Sequence, residues 1–371
     1  MLIRYGFVGV GMMGQEHIRN VVALPGAEVV AVADPHEPSV RAAREAAGAE
    51  VPAYPDVESM IAAEQLDVVV VSTPNNTHRA VLEPLWATSL HLMVEKPLCT
   101  TVADCSAVRD AATRHEGIVW IGLEYRYMPP VQRFLEEVAA PGIGRVRTLS
   151  IREHRFPFLE KVGDWNRFSI NTGGTLVEKC CHFFDLMRLA TPGEPVRVMA
   201  SGAQDVNHLD EHYDAGAPDI LDNAFVIVDF DSGARAMLDL SMFAEGAAYE
   251  QELVAVGDRG RVGVQLPGFM EQIRGRRPLL TLGSRGDGWP VEQVELSADE
   301  RVVYEGAHHG ASYLEHVELC RAIRTGGEAV VGVDDGLWSV AMGAAAHRSI
   351  DEARPVLMEE MGLPSDLLSG P

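Results

Sequence analysis

Tyr5-Gly6-Phe7-Val8-Gly9-Val10-Gly11-Met12-Met13-Gly14 is the stretch on which the reading of the whole chain turns. The apolar run Leu2, Ile3, Tyr5, Phe7 and Val8 suits a buried strand, and it stops at Gly9-x-Gly11-x-x-Gly14, where Gln15 to Leu24 takes up helical spacing. Strand, tight turn and helix in that order make a phosphate cradle. Gly9 permits the turn, Gly11 lets backbone approach a pyrophosphate, and Gly14 lets helix and strand pack closely, with the anion on the helix N-terminus.

A second apolar run, Ala27 to Ala33, ends in Asp34, twenty residues after Gly14. An acidic side chain there suits a ribose 2′-hydroxyl. The plainer role for Asp34 is to cap the turn into Pro35. No Arg follows closely enough to receive a 2′-phosphate, since His36, Glu37 and Pro38 come first, so the expected cofactor is NAD.

The chain has 371 residues, about two domains' worth, and its 47% hydrophobic content is that of a globular protein. It contains no run of eighteen apolar residues, and Met1 to Val10 is too short and too lightly charged for a signal peptide, so a cytoplasmic location is expected. A formal charge of −23 excludes nucleic acid and anionic membrane as partners, because phosphates would be repelled over most of the surface. The five cysteines are odd in number and follow no disulfide framework; buried, reduced thiols are expected. Cys180-Cys181-His182 are consecutive, and helical neighbours point about 100° apart, so they cannot close one tetrahedral site and no metal is expected. Of the 31 basic residues only Lys96, Lys161 and Lys179 are lysine. Arg stays charged whereas a buried Lys shifts its pKa readily, which draws attention to all three amines.

Beyond Asp34, helices are expected at 39–47, 78–86 and 102–114, and strands at 67–71, 91–94 and 118–121. Strands without alternation, separated by helices, mean a parallel sheet covered on both faces, with ligands at the carboxyl ends of the strands. Those ends carry Ser72-Thr73-Pro74-Asn75-Asn76-Thr77-His78, then Glu95-Lys96-Pro97, then Glu124-Tyr125-Arg126-Tyr127. After about residue 125 the strands lengthen and several alternate, at 145–155, 196–202, 223–231, 234–241 and 251–256, which describes an open, mostly antiparallel sheet. A helix at 173–189 packs on it, and further helices follow at 312–323 and 335–350. The fold class expected is α/β: an N-terminal Rossmann doubly wound sheet at 1–124 and an α+β domain at 125–371 for substrate binding and oligomerisation.

On the helix expected after Gly173-Gly174, Glu178 and His182 are four apart and share a face, with Asp185 a turn further on, a polar stripe for a cleft. The glycine motif, Glu95-Lys96-Pro97, Tyr125-Arg126-Tyr127 and the Gly173 to Asp185 pattern together resemble the Gfo/Idh/MocA oxidoreductases, the family of glucose-fructose oxidoreductase and inositol dehydrogenase. The resemblance spans nearly the whole chain. It implies a nicotinamide between the two domains, a catalytic lysine at Lys96, an acid at Glu178 and a histidine at His182. Glu in place of the family's usual Asp at 178, followed by Lys179, leaves open which of Lys96, Lys179 and His182 is the base. Cofactor contacts are expected from Gly9, Gly11, Met12, Met13, Gly14, Asp34, Ser72, Thr73, Pro74, Asn75, His78, Glu95, Lys96 and Arg126.

Hydride leaves a carbinol carbon only if the hydroxyl proton is removed, and a base with a pKa near 7 does this best. The substrate the resemblance implies is a sugar, sugar acid or cyclitol. The segment 145–167 carries five arginines and Lys161 against three acids, an excess of +3. Tyr125, Arg155, Lys161, Trp165, Asn166, Arg167 and His309 are therefore candidates for substrate binding, the arginines for a carboxylate, phosphate or sulfonate. Arginines that merely pair with neighbouring acids are the alternative. The first functional reading is an NAD-dependent dehydrogenase acting on a secondary hydroxyl. The second is a redox-neutral NAD-dependent glycosidase that oxidises C3, eliminates the aglycone, adds water and reduces again, with Lys179 as an extra base and a sulfoquinovoside as one possible substrate. An exposed sheet face predicts a homodimer or homotetramer.

Overall fold

The computed structural model describes residues 1–286, 288–306 and 308–368. Strands β1 (Ile3–Val8), β2 (Ala27–Ala33), β3 (Ala53–Tyr54), β4 (Val68–Val71), β5 (His91–Glu95) and β6 (Val119–Gly122) form one sheet in the order β3-β2-β1-β4-β5-β6. All of its pairings are parallel. The four valines of β4 are fully buried, as a strand covered by helices on both faces must be. Strand order reverses between β1 and β4, and there the glycine turn and Ser72-Thr73 come together, the crevice in which doubly wound sheets bind ligands.

The second sheet contains β7 (Val146–His154), β8 (Pro195–Ala203), β9 (Asn223–Phe230), β10 (Arg235–Ser241), β11 (Gln251–Gly257), β12 (Gly260–Leu266), β13 (Leu279–Ser284), β14 (Val291–Glu295) and β15 (Val356–Leu357). Their order is β14-β13-β12-β11-β7-β10-β9-β8-β15, and only β7 and β10 run parallel. Alternation sends Leu149, Ile151, Val226, Val228, Leu238 and Leu253 to one buried face, on which Cys181–Ala190 packs at β7 and Val333–Glu352 at β8. The other face is open. Helix Ala311–Thr325 packs back on helix Met12–Ala23, and Val333–Glu352 on Val102–Ala112, so the C-terminal helices tie the two sheets together.

Two expected helices are interrupted. The one at 78–86 is an α-helix only over His78–Leu82 and tightens to a 3-10 turn over Glu83–Ala87, because Pro84 has no N–H for the ladder. The one at 173–189 splits into Thr175–Glu178 and Cys181–Ala190, with a separate turn of helix, Ser169–Thr172, before it. Gly173 and Gly174 stand at φ 80° and 85°, and Cys180, at ψ −5°, ends one ladder and begins the next. Glu178 and His182 therefore lie on different segments rather than along one regular face. The sequence reading also leaves out helix Pro129–Ala139 and strands β12 to β15. No helix among the described residues is long and apolar enough to cross a membrane.

Candidate active site

A cleft of about 690 Å³ runs from Asp34 and His36 at one end to Lys96 and Glu178 at the other, with Glu160, Lys161, Val162 and Trp165 along its outer wall. Its floor is the glycine turn. Gly9 has φ 78°, and a Cβ there would lie 2.6 Å from the Thr73 nitrogen. A Cβ on Gly14 would lie 2.3 Å from the Gly9 carbonyl, whereas one on Gly11 would meet nothing within 4 Å. The space above Gly11, beside the N-terminus of Met12–Ala23, is thus open to a pyrophosphate. Met12, Met13, Ser72, Thr73, Pro74, Asn75 and Glu95 also line the cleft, and Ser72 Oγ donates to the Gly9 carbonyl at 2.6 Å. Asp34 accepts N–H bonds from Val10 at 2.8 Å and His36 at 2.7 Å. It caps the turn and faces the cleft at once, so the two roles weighed for it are compatible. These residues fit a dinucleotide.

Two residues expected at the cofactor lie elsewhere. His78 is fully buried, its nitrogens on the carbonyls of Thr73 (3.0 Å), Pro97 (3.0 Å) and Leu98 (3.2 Å); it ties two cleft loops together from behind. Arg126 is buried on Asp185 (2.9 Å) and the Val330 carbonyl (3.2 Å), which takes Asp185 out of any stripe along the cleft.

At the far end, the Lys96 amine lies 3.4 Å from the Glu178 carbonyl. Burial opposes its charge, but Cys181, Glu95 and Glu178 outweigh that and hold it above the usual lysine value. His182 is stacked face to face on Tyr125, with ring centroids 3.9 Å apart and planes 6° from parallel. Burial, then the charges of Lys96 and Lys179, push its pKa well below 6.5, and its Nδ1 has no hydrogen-bond partner. Burial pushes the Glu178 carboxyl up, against the pull of Lys96 and Lys161, and its Oε2 is likewise unbonded. These influences favour a charged amine and a neutral imidazole near a carboxyl that has one unbonded oxygen.

Lys179 is differently placed. It is buried, donates to the Tyr125 hydroxyl at 2.6 Å and pairs with Glu153 at 2.9 Å; like His182, it is not among the residues lining the cleft. Two of its three protons are taken by Tyr125 and Glu153, an arrangement that suits a buried ion pair better than the extra base an eliminating glycosidase would need.

The basic segment 145–167 is mostly self-neutralised. Arg147 pairs with Asp258, Arg152 with Glu252, and Arg167 with Glu211 at 2.9 Å. Arg167 is buried, and Asn166, fully buried beside it, donates to the Leu159 carbonyl at 3.0 Å, so both brace the loop instead of facing a substrate. Arg155 leans on Phe156, with Glu153 at 3.9 Å. Lys161 and Trp165 do line the cleft, and burial pushes the Lys161 amine down. His309 is turned away onto Gln272 with φ 55°; its neighbour His308 reaches the site instead, 2.8 Å from Glu124 and tilted against Tyr125.

Sequence reasoning passed over Glu153, Gln251, Glu124 and His308. For Glu153 the signal was its parity: it follows Leu149 and Ile151 on the inward face of β7, and Gln251 is its register partner on β11. A charge in an inward phase of an alternating strand needs a partner, here Lys179.

The comparisons bear on the family and the fold. Residues 3–123 match the family model described as oxidoreductase family, NAD-binding Rossmann fold, and residues 136–358 the one described as oxidoreductase family, C-terminal alpha/beta domain. Among curated relatives, myo-inositol 2-dehydrogenase of Thermotoga maritima is 28% identical, over 97% of this chain and 99% of its own. Inositol 2-dehydrogenase of Rhizobium meliloti is 27% identical, over 96% and 99%. A levoglucosan dehydrogenase solved with NADH and levoglucosan shares the fold with TM-score 0.82 at 19% identity, covering 96% of this chain and all of its own. With both family models matched in sequence order over nearly its whole length, and a dinucleotide cradle opening onto Lys96 and Glu178, the chain belongs to the Gfo/Idh/MocA family of NAD-binding oxidoreductases.

Proposed function

We propose that the chain oxidises a secondary hydroxyl of an uncharged cyclitol or sugar, with His182 as the base and Lys96 as the cation beside the reacting oxygen. The observation that carries this reading is the placement of Lys96 and Glu178 at the end of the dinucleotide cleft, with the unbonded Nδ1 of His182, stacked on Tyr125, in the same helical stretch as Glu178; burial and neighbouring charges favour a charged Lys96 and a neutral His182. Bound NAD supplies the hydride acceptor. The neutral imidazole of His182 takes the hydroxyl proton, and the ammonium of Lys96 steadies the oxygen that has lost it. The unbonded Oε2 of Glu178 accepts from an adjacent hydroxyl, which orients a polyol and not a simple alcohol. A neutral substrate is favoured because Arg167 is paired with Glu211, Arg155 lies against Phe156 with Glu153 at 3.9 Å, and Lys161, the basic side chain of this segment on the cleft wall, is pushed toward neutrality by burial. The two inositol dehydrogenases among the relatives favour a cyclitol.

The test is NADH formation across inositol isomers, neutral sugars, uronates and sulfonated sugars, together with nitrophenyl glycosides. NADH from a cyclitol or neutral sugar supports the reading. Faster turnover of the acidic sugars would overturn its neutral-substrate part, and nitrophenol release without net NADH would replace it with the glycosidase. The open sheet face also supports assembly of two or four copies.

A further inference from the structure

The outer wall of the cleft comes from the second domain. It is part of the segment that follows β7, and Glu160, Lys161, Val162 and Trp165 line the cleft from it. Between Val162 and Trp165 stand two consecutive left-handed residues, Gly163 at φ 65° and Asp164 at φ 47°, which bend the chain sharply. A left-handed aspartate persists only where its surroundings hold it. Here the Tyr213 hydroxyl donates to Asp164 Oδ2 at 3.1 Å, and the Asp164 N–H donates to the Lys161 carbonyl at 3.0 Å. Asn166, on the Leu159 carbonyl, and Arg167, on Glu211, fix the base of the bend to its own domain.

The bend is also tied to the other domain. Asn171 Nδ2 donates to the Trp165 carbonyl at 3.0 Å, and Asn171 Oδ1 accepts from Asn76 Nδ2 at 3.1 Å. Asn76 belongs to the turn Asn75–Thr77, on which the short helix Ser169–Thr172 packs. That turn follows Ser72 and Thr73, the two residues set directly against Gly9. Trp165 is therefore anchored beside the loop that abuts the phosphate cradle. Val162 is 51% exposed and Trp165 partly so, which leaves an apolar surface on a cleft wall with room for a partner. A polyol offers such a surface little, whereas the riboses and rings of a dinucleotide have apolar faces that would cover it.

We propose that residues 160–165 form a strap over the bound dinucleotide: Val162 and Trp165 are cofactor-binding residues, and the Asn171–Asn76 bridge must open before the cofactor leaves. Trp165 thus meets NAD and not the substrate. The proposal needs the dinucleotide cleft but none of the hydride chemistry.

The test is release of NADH from its preformed complex, followed by NADH fluorescence when excess NAD is mixed in, with no substrate present. Loss of a binding contact acts mostly on dissociation, so Trp165→Ala should release NADH about tenfold faster, with Trp165→Phe close to the parent. Asn76→Ala, at an exposed position, removes one hydrogen bond and should release it about threefold faster. Asn171→Ala loses both bonds of the bridge and should exceed Asn76→Ala, and adding Asn76→Ala to it should bring no further rise. A parent-like release rate in Trp165→Ala overturns the proposal, as does a parent-like rate in both asparagine variants. Where Trp165→Ala fails to fold, judged by its melting transition, an unchanged rate in Asn76→Ala overturns it. No hydroxyl is oxidised in this measurement, so a wrong substrate or base in the proposed function leaves its result unaffected, and a failed strap leaves the proposed chemistry standing.

Discussion

Lys96 and His182 show how the same burial has opposite results on two bases. Desolvation pushes both toward neutrality; Lys96 has Cys181, Glu95 and Glu178 to resist it, and His182 has only cations nearby, which add to it. Lys96→Met and His182→Ala are each expected to abolish NADH formation while leaving NAD affinity within a few fold by calorimetry, since neither is assigned to the phosphates. A base must be neutral to act, and the folded-state pKa of His182 lies below 6.5, so the acid limb of kcat/KM belongs below pH 6.5, with a plateau above it. An acid limb centred above pH 7 would assign the base to another group. Lys179 gives a contrasting expectation. Lys179→Met takes from the fully buried Glu153 its closer cation, leaving Arg155 at 3.9 Å, and loss of a partner in a buried pair is worth up to roughly 3–5 kcal/mol. Urea titration should show that loss, and Lys179→Met with Glu153→Gln should recover most of it. A single variant as stable as the parent would mean that Glu153 is neutralised by another route.

The glycine turn separates fold from binding at the scale of an element. Gly11 has φ −66°, which alanine adopts freely, and a methyl there would enter open space in the cleft. Gly11→Ala is therefore expected to keep the parent's thermal stability and to weaken NAD binding by about tenfold, or about 1.4 kcal/mol. A methyl on Gly14 collides with the Gly9 carbonyl, so Gly14→Ala should destabilise the fold itself by about 1–3 kcal/mol. Differential scanning calorimetry and NAD titration of the two variants check this; equal melting temperatures would contradict it. This motif was legible in the sequence because one short stretch carries strand, turn and helix signals in order. The helix at 173–189 was less so, since spacing alone cannot show that Gly173 and Gly174 delay its start and that Cys180 divides it in two, and the i, i+4 argument for Glu178 and His182 assumed one ladder. The arginines of 145–167 were visible as charge, but their acids, Glu211, Glu252 and Asp258, come from distant strands and loops that only the folded chain brings near. His308 and His309 are adjacent in sequence, and only the left-handed backbone at His309 decides which one reaches Tyr125.

At the scale of the whole molecule, apolar runs sufficed to separate a parallel sheet from an alternating one, because a strand buried on two faces and a strand buried on one differ in period. The alternation left one question to the structure, namely what lies on the second face. Across the middle of the open face run Met199, Ile227, Met237, Ser150 and Val254, each opposite the next in register on adjacent strands, with Met199 46%, Ile227 41% and Met237 36% exposed. Phe225, 60% exposed, extends the patch on one side. On either side lie charges of both signs: Arg197, Asp229 and Arg235 in one row, Asp239, Arg152 and Glu252 in another. A two-fold axis through the apolar row would bury it against itself and lay each mixed row against a mixed row, so that Arg can meet Asp or Glu across the axis; isologous contacts require this kind of self-complementarity. An apolar band of this size on a lone, strongly acidic chain also favours burial over exposure. The chain is therefore expected to run as a dimer or tetramer in sedimentation at micromolar concentration. Ile227→Glu with Met237→Glu puts like charges directly opposite one another on each copy and again across the axis, and should give monomers with an unchanged cleft, retaining NAD binding. Parent protein that sediments as a monomer, or a charged double variant that stays assembled, would move the interface off this face.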